Sequence, residues 1–227
     1  MCSHYQALKE QQRQERFLRS FGINPPPLPG KMDLWPGCLG SFIRRHPHAD
    51  IGDVAVPHAE SLNGLFGLVP HWATDTKITK STYNARSETV AEKPSFRDAW
   101  RRAQHCIIPA DAIYEPDWSS GKAIATRIEL VDGEPMGIAG LWSSLKSHSG
   151  ELVYSYTMLT INADSHEFMR QFHKPMDEKR MVVILPKDRY QDWLEARPEH
   201  SMALLQPLPS NRLQAIATRR DDSLFTI

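Results

Sequence analysis

The sequence predicts one α+β domain, with antiparallel β-structure at its centre and three or four helices at its edges. Two observations carry that reading. Ile124, Thr126, Ile128 and Leu130 alternate with Ala125, Arg127 and Glu129, the period of two of a half-buried strand. Apolar runs at residues 136–142 and 152–160 follow, separated by turn signals at Asp132-Gly133 and residues 147–150, and successive strands joined by short turns pair antiparallel. Helical periodicity is confined to separate pieces around this β-rich stretch.

Size and composition agree. A chain of 227 residues with 41% hydrophobic and 24% charged content can bury a substantial core as an ordinary globular protein. We read residues 1–227 as a single domain, with 197–227 an irregular wrapping segment. No apolar run approaches the ~18 residues of a membrane span, and the first residues lack the apolar stretch of a secretory signal. Three cysteines without a CxxC pair argue against a disulfide framework or a zinc site and for a reducing, cytoplasmic setting. The net charge is zero, so a nucleic-acid partner needs a local basic face. There is no internal repeat, no phosphate-binding glycine loop and no HExxH.

In chain order, residues 4–21 read as a surface helix, with Tyr5, Leu8, Phe17 and Phe21 near one face. Gly22 and the proline run at 25–29 end it and continue as a stiff connector. Residues 33–43 read as a turn feeding a strand, and Arg44, Arg45, His46 and His48 as a solvated basic loop. Val54 with Val56, and residues 65–69, read as strands. Residues 81–90 read as a loop. Residues 95–103 form a helix capped by Ser95 with Asp98 three positions on, its Phe96 and Trp100 facing inward and Arg97, Arg101 and Arg102 outward. Apolar strands at 106–108 and 112–114 follow, the second running into a turn that bears Glu115. Cys106 reads as an inert core thiol. Later come a short helix over 163–173, a strand at 181–185, a helix over 187–196 and a terminal strand at 224–227.

Several residues along this path carry chemistry. Cys2 becomes an N-terminal residue if Met1 is removed, placing a thiol beside an α-amine. Their ordinary pKa values, roughly 8.5 and 7.7–8.0, leave both partly deprotonated at neutral pH. Such a 1,2-aminothiol captures an aldehyde as an imine and then closes a thiazolidine. Trp72 stands at a loop opening, where it either stacks on a nucleobase or packs into the core. Asn84, Arg86, Ser87 and Glu88 crowd one short stretch, which serves equally as a phosphate-binding loop or a capped turn. Glu115 lies among Tyr114, Pro116 and Trp118, a setting in which desolvation raises a carboxyl pKa toward general-acid use. His166 and His173 bracket the 163–173 helix, and a terminal position there favours a charged His173.

The order of these residues is more informative than any one of them. Cys2, then Asn84-Ala85-Arg86-Ser87-Glu88, then an apolar strand into Glu115, then Thr160 to His173 running into Arg180-Met181-Val182-Val183-Ile184-Leu185, resembles the SRAP family. These are SOS-response-associated peptidase-like proteins that shield abasic sites in single-stranded DNA. The resemblance covers nearly the whole chain to about Ala196 and implies strongly bent antiparallel sheets approaching a barrel. It implies Cys2, once Met1 is removed, as the nucleophile that crosslinks the ring-opened abasic aldehyde. Asn84 would position the reacting group, Glu115 would exchange a proton with the sugar oxygen, and His173 would shuttle protons. Arg86 would hold a phosphate, Trp72 would line the DNA path, and His4 and Ser87 would lie along it. The implied protein is a monomer acting on abasic single-stranded DNA without metal or organic cofactor, associated with the nucleoid when bound.

The chain departs from the family pattern in three places. Ser3 and His4 stand where glycine and arginine are usual, residues 174–179 intervene between His173 and Arg180, and Val182 stands where proline is common. His166 is the fallback for His173. Two other functions fit the same residues: a thiol peptidase using Cys2 and His173, and a non-covalent single-strand binder using Arg86, Trp72 and the 97–102 arginines.

Overall fold

The computed structural model describes residues 2–27, 30–146 and 150–217. Thirteen strands and five short helices are assigned among them. In chain order they are β1 (His4–Gln6), α1 (Arg13–Phe21), β2 (Asp33–Leu34), β3 (Leu39–Arg45), β4 (Ala59–Phe66), α2 (Thr79–Thr82), β5 (Asn84–Arg86), α3 (Arg97–Arg101), β6 (His105–Ala110), β7 (Ala112–Asp117), β8 (Ile124–Leu130), β9 (Met136–Lys146), β10 (Leu152–Asn162), β11 (Arg180–Val182), β12 (Ile184–Leu185), α4 (Tyr190–Glu195), α5 (Pro198–Ser201) and β13 (Leu213–Ala217).

Five of these strands close on themselves. The path β10-β4-β3-β6-β9 returns to β10 through a long β9–β10 ladder, giving a five-stranded barrel to which β5, β11 and β12 are added. A second sheet, β13-β8-β7-β1-β2, carries the N-terminus. Closure removes exposed strand edges and encloses an aromatic core around Phe42, Phe66 and Tyr156. Tyr5 of β1 joins that core by a hydroxyl–hydroxyl hydrogen bond to Tyr156 of β10 at 2.5 Å. The approach of the two phenols leaves no room at Gly40, where any Cβ would collide with both hydroxyls. The α+β class and the barrel are therefore as expected.

Several elements differ from the sequence reading. The predicted helix over 4–21 begins only at Arg13. Before it, β1 pairs antiparallel with both β2 and β7, with His4 opposite Tyr114 and Tyr5 opposite Leu34. Two-sided pairing overrides the helix-forming residues that follow, and α1 has no side-chain cap to mark its start. Gly22 does end it, in a left-handed conformation with its N–H donating to the Leu18 carbonyl.

Val54 and Val56 form no strand, and Val54 is fully exposed in a turn. Arg44 belongs to β3, where Glu60 pairs it over the Trp142 ring, so the basic cluster is in part structural. The Ser95 capping box does not form, because the chain is already turning from Lys93 and α3 starts at Arg97. Residues 84–86 are a strand rather than a loop, and Glu115 lies within β7 rather than on a turn.

Not every pairing is antiparallel. β4 and β5 both run parallel to β10, and β8 and β9, though consecutive, lie in different sheets. The 163–173 helix reduces to a 3₁₀ turn at Met169–Phe172. The end of the chain is more ordered than its weak periodicity indicates. Residues 198–217 supply α5 and β13, and β13 extends the second sheet beside β8. The turn expected at 147–150 lies mostly, and the strand at 224–227 wholly, outside the described residues.

Candidate active site

The site lies where the second sheet meets β5. Because His4 faces Tyr114 in the β1–β7 register, one further step sets Ser3 opposite Glu115 and brings Cys2 to the same end. Cys2 is buried, and its thiol donates to the His4 carbonyl at 3.3 Å. From the other side, the parallel β5–β10 pairing places Asn84 beside Met158. There Asn84 Nδ2 donates to the Cys2 carbonyl at 2.7 Å. Asn84 Oδ1 is buried with no partner among the described residues, leaving an acceptor free within the site.

Glu115 is 2% exposed. Burial raises its pKa from 4.5 to about 7, so near neutrality it both holds and releases a proton. Burial also pushes the Cys2 thiol well above its usual range, and the nearby Glu115 charge pushes the same way. Tyr83, directly before Asn84, is raised by burial first and then by Cys2 and Glu115. Its phenol is thus a neighbour of both, and the sequence reading did not single it out.

His173 follows the Met169–Phe172 turn, which packs against β7. It is in an extended conformation and buried, so the expected helix-end stabilisation of its charge does not arise. Burial, aided by Lys179, lowers its pKa to about 4, against the opposing effects of the Met169 backbone and the Asp177 charge. Neither ring nitrogen makes a well-directed hydrogen bond among the described residues. His173 is therefore a neutral base at physiological pH. His166, the fallback, is structural: Nδ1 accepts the Met169 N–H at 3.0 Å, and Nε2 donates to the Leu208 carbonyl at 2.7 Å.

His4 does not project outward. Its ring is stacked between Trp35 at 4.0 Å and Tyr114 at 4.1 Å, with Nε2 3.1 Å from Asp33 Oδ1. Burial lowers its pKa despite Asp33. A cavity of about 400 Å³, lined by Ser3, His4, Trp35, Tyr114, Glu115 and Pro116 among others, opens beside it.

The family model for SOS response associated peptidase (SRAP) matches residues 1–221. The chain belongs to the SRAP family. It is 36% identical over 156 residues to the Bacillus subtilis protein named abasic site processing protein YoaM, covering 66% of this chain and 64% of that one. It is 25% identical over 179 residues to the Xenopus tropicalis abasic site processing protein HMCES, covering 67% of this chain and 51% of that one. The match thus spans just under two thirds of the bacterial relative and about half of the vertebrate one. A crystal structure of a Bordetella bronchiseptica protein superposes with a TM-score of 0.84 at 47% identity, covering 96% of this chain and all of that one. A Bacteroides thetaiotaomicron structure at 21% identity shares the fold, with a TM-score of 0.76.

In this SRAP chain the four residues expected to be catalytic fall on elements that meet at one place, but not all the expected DNA contacts face solvent. Arg86 does: it lies two residues from Asn84 on β5, hence on the same side of the strand, and is half exposed in an ion pair with Glu178 at 2.7 Å. Ser87 is buried, its backbone N–H bound to the Thr160 carbonyl and its hydroxyl turned to Glu88. Trp72 is half exposed on the α3 side, its Nε1 donating to the Pro94 carbonyl at 3.3 Å. His71 ties the same loop to Asp98, and Arg97 and Arg101 of α3, with Arg102 directly after it, are exposed nearby.

Proposed function

We propose that this protein processes abasic sites by crosslinking them, using Cys2 as an aminothiol once Met1 has been removed. The observation that carries the reading is the convergence of Asn84, Glu115 and Tyr83 on Cys2, with the Asn84 amide already hydrogen-bonded to the Cys2 carbonyl. Ring opening of the abasic deoxyribose exposes an aldehyde. The Cys2 amine adds to its carbon, and loss of one water gives the imine. The thiol sulfur then attacks the imine carbon, its proton passes to the nitrogen, and a thiazolidine closes.

Each neighbour has a task in that sequence. Glu115, poised near neutrality, protonates the departing oxygen and takes a proton back from the attacking water on reversal. His173, neutral, accepts protons from the amine. Asn84 fixes the Cys2 backbone, so the amine and thiol are presented together. Arg86 takes a neighbouring phosphate, and Trp72 with the α3 arginines extends a path for single-stranded DNA.

The names of the curated relatives support abasic sites as the target. A peptidase reading fares less well, because the Cys2 thiol donates to a carbonyl and no Cys–His hydrogen bond is formed among the described residues. The test is a denaturing gel after mixing the protein with abasic or intact single-stranded DNA. A shifted band with abasic DNA alone, lost in Cys2→Ala, is the expected result. A band that persists in Cys2→Ala overturns the assignment.

A further inference from the structure

The segment 174–179 that separates His173 from Arg180 carries a carboxylate directly onto Arg86. Glu178 Oε2 accepts from Arg86 at 2.7 Å, while Oε1 accepts from Arg180 at 2.9 Å. The two arginines differ in kind. Arg180 is 2% exposed and also holds Glu88 by two bonds, at 2.7 and 2.9 Å, and the Thr160 carbonyl at 2.8 Å. It is a fixed strut that keeps its partners without Glu178. Arg86 is 46% exposed, and Glu178 is the only salt-bridge partner it has among the described residues. Its guanidinium fork, which suits carboxylate and phosphate oxygens alike, is thus already engaged through Nη1.

The segment is held in place. The Asp177 N–H donates to the Lys174 carbonyl at 2.9 Å, the Lys179 N–H donates to Asp164 at 3.1 Å, and Lys179 Nζ reaches the His173 carbonyl at 3.3 Å. Glu178 is therefore presented to Arg86 by a pinned turn.

We propose that Glu178 is a built-in competitor for the Arg86 phosphate site, holding the fork in the DNA-free protein and giving it up to an incoming phosphodiester. The inference rests on the reading of Arg86 as a phosphate contact. It makes Glu178 a determinant of affinity and salt response rather than a catalytic residue. Arg86 enters binding already neutralised, so its contact with a phosphate releases fewer ions than a free arginine would. Glu178, once displaced, recruits a cation in return.

The test uses the full chain and a fluorescent single-stranded oligonucleotide with a tetrahydrofuran spacer, which cannot form an imine, so binding stays reversible. Glu178→Gln is expected to tighten binding by about threefold to tenfold at low salt and to steepen the dependence of log Kd on log salt by up to about 0.7. Glu178→Ala, which removes the contact to Arg180 as well, checks the result, with melting temperatures reporting the fold. In an Arg86→Ala background the Glu178→Gln gain is expected to fall severalfold. If Arg86→Ala weakens binding but Glu178→Gln and Glu178→Ala, both folded, leave affinity and salt slope unchanged, the competitor role is overturned and the phosphate role of Arg86 stands. If Arg86→Ala itself changes neither, the phosphate role falls and takes this inference with it.

Discussion

Two buried histidines sit in two regions of this molecule and have the same depressed pKa of about 4, in each case chiefly from burial. Around His105, at the barrel's α4 side, one ring nitrogen is held, while Nδ1 has no well-directed partner among the described residues. Nε2 meets the Ser201 hydroxyl at 3.1 Å, the ring packs on Trp193 at 4.1 Å, and Trp193 Nε1 donates to the Cys106 carbonyl. Around His173, where β5, β7 and the N-terminus meet, several buried polar atoms are left open. Both ring nitrogens and Asn84 Oδ1 lack well-directed partners among the described residues. The same pKa shift therefore accompanies a packed ring with one nitrogen held in one place, and a ring with neither nitrogen held, beside the reactive residues, in the other. Buried polar atoms left unpaired are costly, and those of His173 and Asn84 lie where a substrate can complete them.

The sharpest way to break that contrast is at Cys2. Cys2→Ser keeps the amine and loses the sulfur, so it is expected to give no stable adduct, only an imine trapped by borohydride. A stable adduct without borohydride would show that sulfur is not required. Next in size is Glu115→Gln, expected to slow adduct formation by about 10²- to 10⁴-fold at pH 7, read from single-turnover gels. A rate within twofold of wild type would remove Glu115 from the chemistry.

The histidines then separate by readout. His173→Gln is expected to slow crosslinking at least about tenfold with little change in melting temperature. His105→Ala is expected to lower stability by about 1–3 kcal/mol, a few degrees in Tm, with the crosslinking rate of the folded fraction unchanged. Exchange of those two phenotypes would invert the comparison.

The smallest effect is in the pH dependence of stability. Glu115 has a raised pKa, so its contribution is fully present below pH 4.5 and is lost as pH rises through about 7. His105 and His173 have lowered pKa values, so theirs is present above 6.5 and is lost as pH falls through about 4. The two trends oppose each other between pH 4.5 and 6.5. Glu115→Gln is expected to remove the falling one, so that denaturant-measured stability climbs more steeply with pH across that window. An unchanged slope would mean that Glu115 is not held protonated by burial.

What could be read from the sequence follows from which interactions are local. β8 was legible because a strand with one buried face imposes a period of two that survives in the residue order, and β9 and β10 because strands buried on both faces read as long apolar runs. β1 and β5 were not: three residues are too few to show a period, and each exists because of partners far away in the chain. The cap at Ser95 failed because the turn from Lys93 had already begun. At the site, Cys2, Asn84, Glu115 and His173 were identified by order and residue type. The contact between Cys2 and Asn84 spans 82 positions and exists only once both sheets are assembled. Tyr83 and the Trp35–His4–Tyr114 stack carried no such signal, and the stack changes the meaning of His4 from a surface substitute for arginine to a buried, neutral wall of the cavity. Glu178 lay in the segment that departs from the family pattern, where spacing alone gave it no role.

The central claim is that Cys2 acts through its amine and thiol together, and intact mass spectrometry of the denatured mixture with abasic single-stranded DNA tests it most directly. The account predicts one new species, whose mass is that of the chain without Met1 plus the DNA, less one water. An adduct on chains that retain Met1, or one of equal yield from Cys2→Ala, would contradict it.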